Sequence, residues 1–168
     1  MSEPTMGTET AALLASLNGQ RQHVLGILEG LSDDALRRPM LPSGWTCVGL
    51  LQHLTLDVER FWFRGVVGGE QIELNEAGDA AWRVAANEPA QIVLDGYRHE
   101  IELANAIIRA TPPDTAPAWW PEDLFGDYRL HSLREVALHV ITETACHAGH
   151  LDAARELIDG RTWMILTG

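Results

Sequence analysis

Residues 132–160 read SLREVALHVITETACHAGHLDAARELIDG, and they are the clearest indication of the fold class. Ser132, with Glu135 three residues later, forms a capping box that predicts the start of a helix, and Gly160 predicts its end. Between these signals apolar residues recur at steps of three and four, which is typical of a helix with one buried face. The stretch therefore predicts one long helix that runs to about Asp159.

Three further segments show the same periodicity and are bounded by glycine or proline. We expect these helices from about Thr8 to Glu29, from Ser43 or Thr46 to about Arg64, and from Pro89 to the linker that begins at Thr111. A polar connection covers residues 66–88, in which we expect residues 75–81 to be ordered against a site. No stretch alternates with the period of two that marks a β-strand. Four long helices predict an all-α fold, a four-helix bundle with long connections, in a single domain over residues 1–168.

The composition argues against several classes of partner. The chain is 46% hydrophobic and carries a formal net charge of −12 at pH 7. This charge argues against nucleic acid, whose phosphates require clustered basic residues, and against an anionic membrane surface. No apolar run approaches the ~20 residues of a membrane span, and the N-terminus lacks a secretory signal pattern. Because Cys47 and Cys146 lie far apart and form no CxxC pair, we expect a reducing, cytoplasmic environment.

The face of the last helix that should be apolar is polar in its middle. Steps of three and four along this face give Leu133, Val136, Val140, Glu143, His147, His150, Ala154 and Leu157. At about 100° per residue, Glu143, His147 and His150 lie within about 60° of one another, on the face predicted to point inward. Burying a carboxylate and two imidazoles without partners costs several kcal/mol, on the order of the penalty for other buried polar groups. A divalent ion such as Zn²⁺, Ni²⁺, Mn²⁺ or Fe²⁺ would compensate them.

The second helix offers a partner for this polar stripe. His53 lies at the edge of the apolar face of that helix, where it can meet the last helix across the bundle. Asp57 follows one turn later, and Arg60 and Arg64 continue the same row toward solvent. One ligand from this helix and an i, i+4 pair from the other leave coordination positions open, as catalytic metal sites do.

Several alternatives remain open at this point. Hydrogen bonds and water could satisfy the stripe without an ion, and Asp57 could be a solvated carboxylate paired with Arg60. His139 lies near the same sector, as a reserve ligand or as a residue that contacts the ligands. Cys47, at a helix start where a thiol pKa can be lowered, is an alternative nucleophile. The tryptophans that either line a pocket or pack in the core are Trp45, Trp62, Trp119 and Trp120.

The segments LLQHLTLDVERFWF at 50–63 and HVITETACHAGHLDAARELIDG at 139–160 resemble the DinB/YfiT-like superfamily of four-helix metalloproteins. They look most like its actinobacterial branch, which includes mycothiol-dependent maleylpyruvate isomerase and mycothiol S-transferases. The resemblance implies His53, Glu143 and His147 as metal ligands. It leaves open whether Glu143 or His150 completes the set. Because the isomerase has a further C-terminal domain, for which this chain leaves no room, we do not expect that reaction.

The resemblance implies a thiol S-transferase that joins a low-molecular-weight thiol, mycothiol, to electrophilic small molecules in detoxification. One divalent ion, Zn²⁺ first with Ni²⁺ or Mn²⁺ as alternatives, would lower the pKa of the thiol. Asp57 or His150 would act in catalysis by orienting a ligand or taking the proton. The alternative functions are a metal-dependent hydrolase and a non-catalytic metal-binding bundle. We expect a homodimer without nucleic-acid or membrane partners.

Overall fold

The computed structural model of the chain describes residues 7–73 and 80–163, and within these ranges it contains helices and no β-strand. The helices are α1 (Thr8–Leu28), α2 (Asp33–Arg37), α3 (Cys47–His53), a π-helix (Leu54–Val67), a 3₁₀ turn (Ala80–Trp82), α4 (Ala90–Ala110), α5 (Glu122–Phe125) and α6 (Leu133–Asp159). The predicted all-α fold is thereby confirmed. None of the helices in these ranges combines the length and the apolar character that crossing a bilayer requires.

Four long helical segments enclose one hydrophobic core. α1 lies along α6, α4 packs on the π-helix, and the π-helix also contacts α6. Leu17 and Ile27 of α1 and Val136 and Leu151 of α6 are completely buried in this core. Each such side chain contributes roughly 1.5–3 kcal/mol when it leaves water. The bundle is therefore held chiefly by the apolar faces that the sequence periodicity predicts.

The helix ends follow the capping signals in the sequence. The Oγ atom of Ser132 accepts a hydrogen bond from the Glu135 amide at the start of α6. Of the two possible caps of α3, Ser43 and Thr46, Thr46 is the one observed. Its side chain accepts a hydrogen bond from the Gly49 amide. Gly160 ends α6 with a φ of 78°, a left-handed conformation that glycine adopts without strain. These local signals placed the ends of α1, α4 and α6 to within about a residue, which is finer than such assignments usually allow.

The second predicted helix changes its winding directly after His53. Leu54–Val67 forms a π-helix, in which hydrogen bonds run from residue i to i+5 instead of i+4. The sequence offers Gly65, Gly68 and Gly69 as the end of this helix. The helix passes through Gly65 and ends at Gly68, whose amide donates to the Phe63 carbonyl at 2.9 Å. Almost the whole circumference of this helix is buried. π-Helical turns are frequent at functional sites, and this one begins at a candidate ligand.

The buried face of α6 lies beside the polar stripe and does not pass through it. The fully buried residues at its centre are Thr144, Ala148 and Leu151. Glu143 and His147 are half-buried next to this face, and His150 is exposed. Leu157, which we also expected to point inward, is 55% exposed. The prediction was wrong in this respect because residues next to each other in a helix point about 100° apart, so one stripe of positions is easily mistaken for its neighbour.

A buried ion pair that the sequence pattern did not reveal joins α1 to the π-helix. Arg21 and Glu59 are each 1% exposed, and the Arg21 Nε atom lies 2.7 Å from Glu59 Oε1. Asn18 and Asn105 accept further hydrogen bonds from the same guanidinium. Burial raises the pKa of Glu59, and the charge of Arg21 opposes that rise. The pair satisfies both charges in the core, at the cost of removing them from water.

Candidate metal centre

The end of α3 and the middle of α6 bring three candidate metal ligands together. His53 is the last residue of α3, and Glu143 and His147 lie one turn apart on α6. One donor atom from each of the three lies within 4.8 Å of the other two. All three side chains are half-buried, so the group lies at the edge of the bundle and not in its dry interior. In residues 7–73 and 80–163 no other group of three such side chains converges in this way.

The spacing of the three donors suits a shared ion better than a hydrogen-bonded cluster. The rings of His53 and His147 are nearly perpendicular, with centroids 5.0 Å apart. The Nε2 atom of His147 lies 3.6 Å from Oε2 of Glu143, which is too long for a hydrogen bond. Donor atoms that face one another at such distances leave room for a cation between them. Two imidazoles and a carboxylate are also a donor set that zinc and similar divalent metals accept.

The protonation state of His147 favours cation binding. The pKa of this residue is lowered to about 4, chiefly by burial and also by the nearby His53. Glu143 opposes the shift, and His150 adds to it. His147 is therefore a neutral imidazole at pH 7. Its unprotonated ring nitrogen can donate a lone pair to a metal ion.

Asp57 orients His53. Its Oδ2 atom lies 2.9 Å from Nδ1 of His53 within one turn, so the ring nitrogen left for a metal is Nε2. Carboxylates commonly accept the second N–H of a metal-binding histidine and so fix the tautomer and the ring direction. The alternative pairing of Asp57 with Arg60 is not what the structure shows. Arg60 donates instead to the buried Glu100, at 2.9 Å from its Nε atom.

His150 and His139 lie outside the group of three donors. The Nδ1 atom of His150 is 3.4 Å from Nδ1 of His147, and its side chain is exposed. The ring of His139 lies 4.5 Å from that of Trp62 and within hydrogen-bonding distance of the Tyr128 hydroxyl, at 3.4 Å. Burial lowers the pKa of His139, with Glu143 opposing. The sequence left open whether Glu143 or His150 completes the ligand set. In the structure Glu143 converges with His53 and His147, and His150 does not.

Neither cysteine fits the role of a nucleophile at this site. Cys47 is the first residue of α3 but is buried, and this burial raises the pKa of its thiol to about 11. The helix N-terminus therefore does not produce a thiolate there at neutral pH. Cys146 lies on the exposed side of α6 and is not among the converging donors. The alternative that assigned nucleophilic attack to Cys47 is not supported.

Trp82 is a site residue that the sequence did not reveal. Its ring stacks on His53 at 4.3 Å and 16°, and it meets His147 edge-on at 5.8 Å. The 3₁₀ turn that carries Trp82 approaches α3 at Gly49, where a Cβ atom would lie 2.3 Å from the Trp82 carbonyl oxygen. We expected residues 75–81 to be ordered against a site. Residues 74–79 lie outside the described residues, but the turn that follows them does cover this site.

Two pockets adjoin the cluster of donors. The first has a volume of about 400 Å³ and is lined by His53, Asp57, Val58, Phe61, Trp62, Leu124, Phe125, Tyr128, His139 and Glu143. The second has a volume of about 500 Å³ and is lined by Ser43, Gly44, Trp45, Thr46, Trp82 and Arg83. Both readings of the tryptophans apply: Trp62 and Trp45 line pockets, and Trp62 and Trp120 are also buried in the hydrophobic core. The candidate ligands His53 and Glu143 belong to the wall of the first pocket.

The model of the mycothiol-S-transferase family matches residues 12–160. This chain belongs to the mycothiol-S-transferase family. The matched range contains all the candidate ligands and every long helix except the first turn of α1, which confirms the resemblance seen in the sequence. None of the curated proteins matches the chain. Family membership is therefore established, and the reaction of this member has to be argued from its site.

Proposed function

We propose that this member of the mycothiol-S-transferase family is a metal-dependent enzyme that conjugates mycothiol to electrophilic small molecules. The observation that carries the proposal is the convergence of His53, Glu143 and His147 beside a pocket large enough for a small substrate, whose wall includes His53 and Glu143. In the reaction, the sulfur of the thiol forms a bond to an electrophilic carbon. The leaving group departs with the bonding electron pair, and the thiol proton passes to solvent.

The three donors would hold one divalent ion, for which Zn²⁺ is our first choice and Ni²⁺ or Mn²⁺ are alternatives. Such an ion, when bound, stabilises a thiolate over a thiol and so supplies the nucleophile at neutral pH. Three protein ligands are the number found in catalytic sites, whereas closed structural sites use four.

The neighbouring residues have distinct proposed roles. Asp57 holds the His53 ring through Nδ1, and the stacked Trp82 ring keeps water from one face of that imidazole. His150 is exposed and lies 3.4 Å from His147, so we assign it the transfer of the thiol proton to solvent. Glu143 belongs both to the donor cluster and to the pocket wall, where the electrophile would approach the sulfur.

A conjugation assay tests this function. The full chain, purified without a metal-affinity step, is given mycothiol, bacillithiol or glutathione with an alkylating agent such as iodoacetamide, with and without added Zn²⁺. We expect conjugate formation that requires mycothiol and metal and that His147→Ala abolishes. Hydrolysis of ester or amide substrates without any thiol would assign the protein as a hydrolase instead. Metal uptake without any turnover would assign it as a non-catalytic metal-binding bundle, and either result overturns the proposal.

A further inference from the structure

The pocket beside the donor cluster has one wall made of aromatic rings. The rings of Trp62 and Phe125 are stacked, with centroids 5.5 Å apart and 15° between their planes. Phe61 meets Trp62 edge-on at 5.0 Å, and Tyr128 meets Phe125 edge-on at 6.1 Å. Flat and edge-on ring faces of this kind offer favourable stacking to a further aromatic ring. Shape and chemistry together therefore favour an aromatic occupant.

The other side of the pocket is acidic. Asp57 and Glu143 line it, and none of the arginines does; the chain contains no lysine. His139 also lines it, and burial lowers the pKa of that ring, so it adds no positive charge at neutral pH. Arg60, which lies near Asp57 in the chain, is held by Glu100. Two carboxylates offset the charge of a bound divalent cation, and the thiolate would add a further negative charge, so the rest of the pocket has no net positive charge to attract an anionic substrate.

The outer part of the aromatic wall comes from the connection between α4 and α6. α5 supplies Leu124 and Phe125, and Tyr128 follows the turn at Gly126. Leu124 is 56% exposed and Tyr128 46% exposed, so both lie at the mouth of the pocket, whereas Phe125 is half-buried inside it. Loops that line a pocket on a rigid scaffold commonly decide which ligand it takes. The connection between α4 and α6 is therefore the segment that would determine substrate specificity.

We propose that the pocket selects the electrophilic substrate as an uncharged or cationic aromatic compound and rejects aromatic carboxylates. This inference rests on the proposed transferase function and names the substrate class of the same site. The aromatic ring lies against Trp62 and Phe125, and the carbon that bears the leaving group points to the end of the pocket that His53 and Glu143 line. For a benzyl bromide, a sulfur–carbon bond forms, the carbon–bromine bond breaks, and bromide leaves with the electron pair while the thiol proton goes to solvent.

Turnover of matched electrophiles tests the selection. The metal-loaded full chain with mycothiol is given 4-methylbenzyl bromide, its 4-carboxy and 4-trimethylammonio analogues, and iodoacetamide, and the thioether product is measured by mass spectrometry. Each kcat/KM is divided by the rate constant of the same electrophile with free mycothiol. We expect the neutral and cationic benzyl compounds to exceed the carboxylate and iodoacetamide by about tenfold or more, the discrimination typical of a shaped pocket. Equal normalised values for all four would overturn the inference.

A binding measurement separates this inference from the proposed function. Without thiol, calorimetric titration with 4-methylbenzyl alcohol and with 4-methylbenzoate is expected to give a Kd about tenfold lower for the alcohol, as for other cases of charge discrimination in binding. If this preference holds while no electrophile is conjugated, iodoacetamide included, the transferase proposal fails and the pocket assignment stands. If iodoacetamide is conjugated but the two ligands bind equally, the pocket assignment fails and the transferase stands.

Variants of the wall locate the selectivity. Phe125→Ala is expected to lower the ratio of 4-methylbenzyl bromide to iodoacetamide turnover by about tenfold, because it removes the ring that stacks on Trp62. Circular dichroism shows whether Phe125→Ala folds. If it does not, Leu124→Ala at the exposed mouth of the pocket replaces it, and we expect this variant also to lower the ratio of 4-methylbenzyl bromide to iodoacetamide turnover. The matched control is Leu157→Ala, since Leu157 is 55% exposed and does not line the pocket. An unchanged ratio in folded Phe125→Ala and Leu124→Ala would contradict the inference.

Discussion

The Nδ1 atom of His53 lies 2.9 Å from Oδ2 of Asp57, at the point where α3 gives way to the π-helix. This bond orients a half-buried imidazole toward Glu143 and His147 of α6. The Trp82 ring, which stacks on His53, restricts the same imidazole further. A ligand held in this way loses little freedom when it binds a cation, so the site is organised before any ion arrives.

Removal of the Asp57 carboxylate is expected to weaken metal binding while leaving the fold intact. Asp57→Ala frees the Nδ1 atom of His53 and with it the choice of tautomer. Loss of such a partner typically lowers metal affinity by about 10–100-fold. Competition against a chromophoric zinc chelator measures this change. Asp95→Ala, at an exposed acid paired with Arg98 on α4, is the control and should leave affinity unchanged.

Substitutions in α6 should show which residues hold the metal. Glu143→Gln and His147→Ala are expected to reduce bound metal far below that of the unaltered chain, because the first removes the anionic charge of a converging ligand and the second removes a converging imidazole. His150→Ala should retain metal and lose only turnover. Elemental analysis after dialysis gives the stoichiometry. Full metal content in Glu143→Gln together with loss in His150→Ala would show that His150 completes the ligand set.

The close approach of the 3₁₀ turn to α3 makes Gly49 sensitive to substitution. A Cβ atom at this position would lie 2.3 Å from the Trp82 backbone oxygen, so Gly49→Ala must displace the turn. We expect a loss of about 1–3 kcal/mol in the free energy of unfolding, as for other overpacked positions, and weaker zinc binding. Gly96→Ala in α4 has no atom within 4 Å of the added carbon and should stabilise the chain by about 0.5–1 kcal/mol. Urea denaturation compares the two variants.

The buried ion pair between α1 and the π-helix should be costly to break. Arg21→Met leaves Glu59 charged or protonated without its partner in the core, and we expect a loss of about 3–5 kcal/mol in the free energy of unfolding. Arg98→Met removes an exposed pair with Asp95 and should change stability by about 0–1 kcal/mol. Chemical denaturation of both variants gives the comparison. Similar small losses in both would contradict the structural burial of Arg21.

The two cysteines should differ in reactivity. Burial raises the pKa of Cys47 to about 11, so below that pH its thiol stays protonated as well as inaccessible. Cys146 is exposed and should be alkylated. Peptide mapping of native protein treated with iodoacetamide at pH 8 is expected to find the label on Cys146 alone. Denaturation should make Cys47 accessible to the reagent. Rapid labelling of Cys47 in the native protein would contradict this prediction and support Cys47 as a nucleophile.

Helix ends and the pairing of donors within α6 were predictable because they depend on residues within one turn. The Ser132 cap, the left-handed Gly160 and the one-turn spacing of Glu143 and His147 are all local chemistry. The single-domain organisation and the homodimer stay predictions. The predicted core face of α6 is confirmed at Val136, Val140 and Ala154 but was wrong in its middle, where Thr144 and not Glu143 points inward. The periodicity of this helix accommodates both assignments there.

Residue pattern alone predicts an all-helical chain in which the polar residues His53, Glu143 and His147 break an apolar pattern. The packing of the helices was needed to show that these three converge, that Trp82 covers one of them, and that Arg60 pairs with Glu100 instead of Asp57. The reason is physical. Capping and hydrophobic periodicity depend on residues three or four apart in the sequence. The contact between α3 and α6 depends instead on how each helix is rotated about its axis when the core packs, and no short stretch of sequence encodes that rotation.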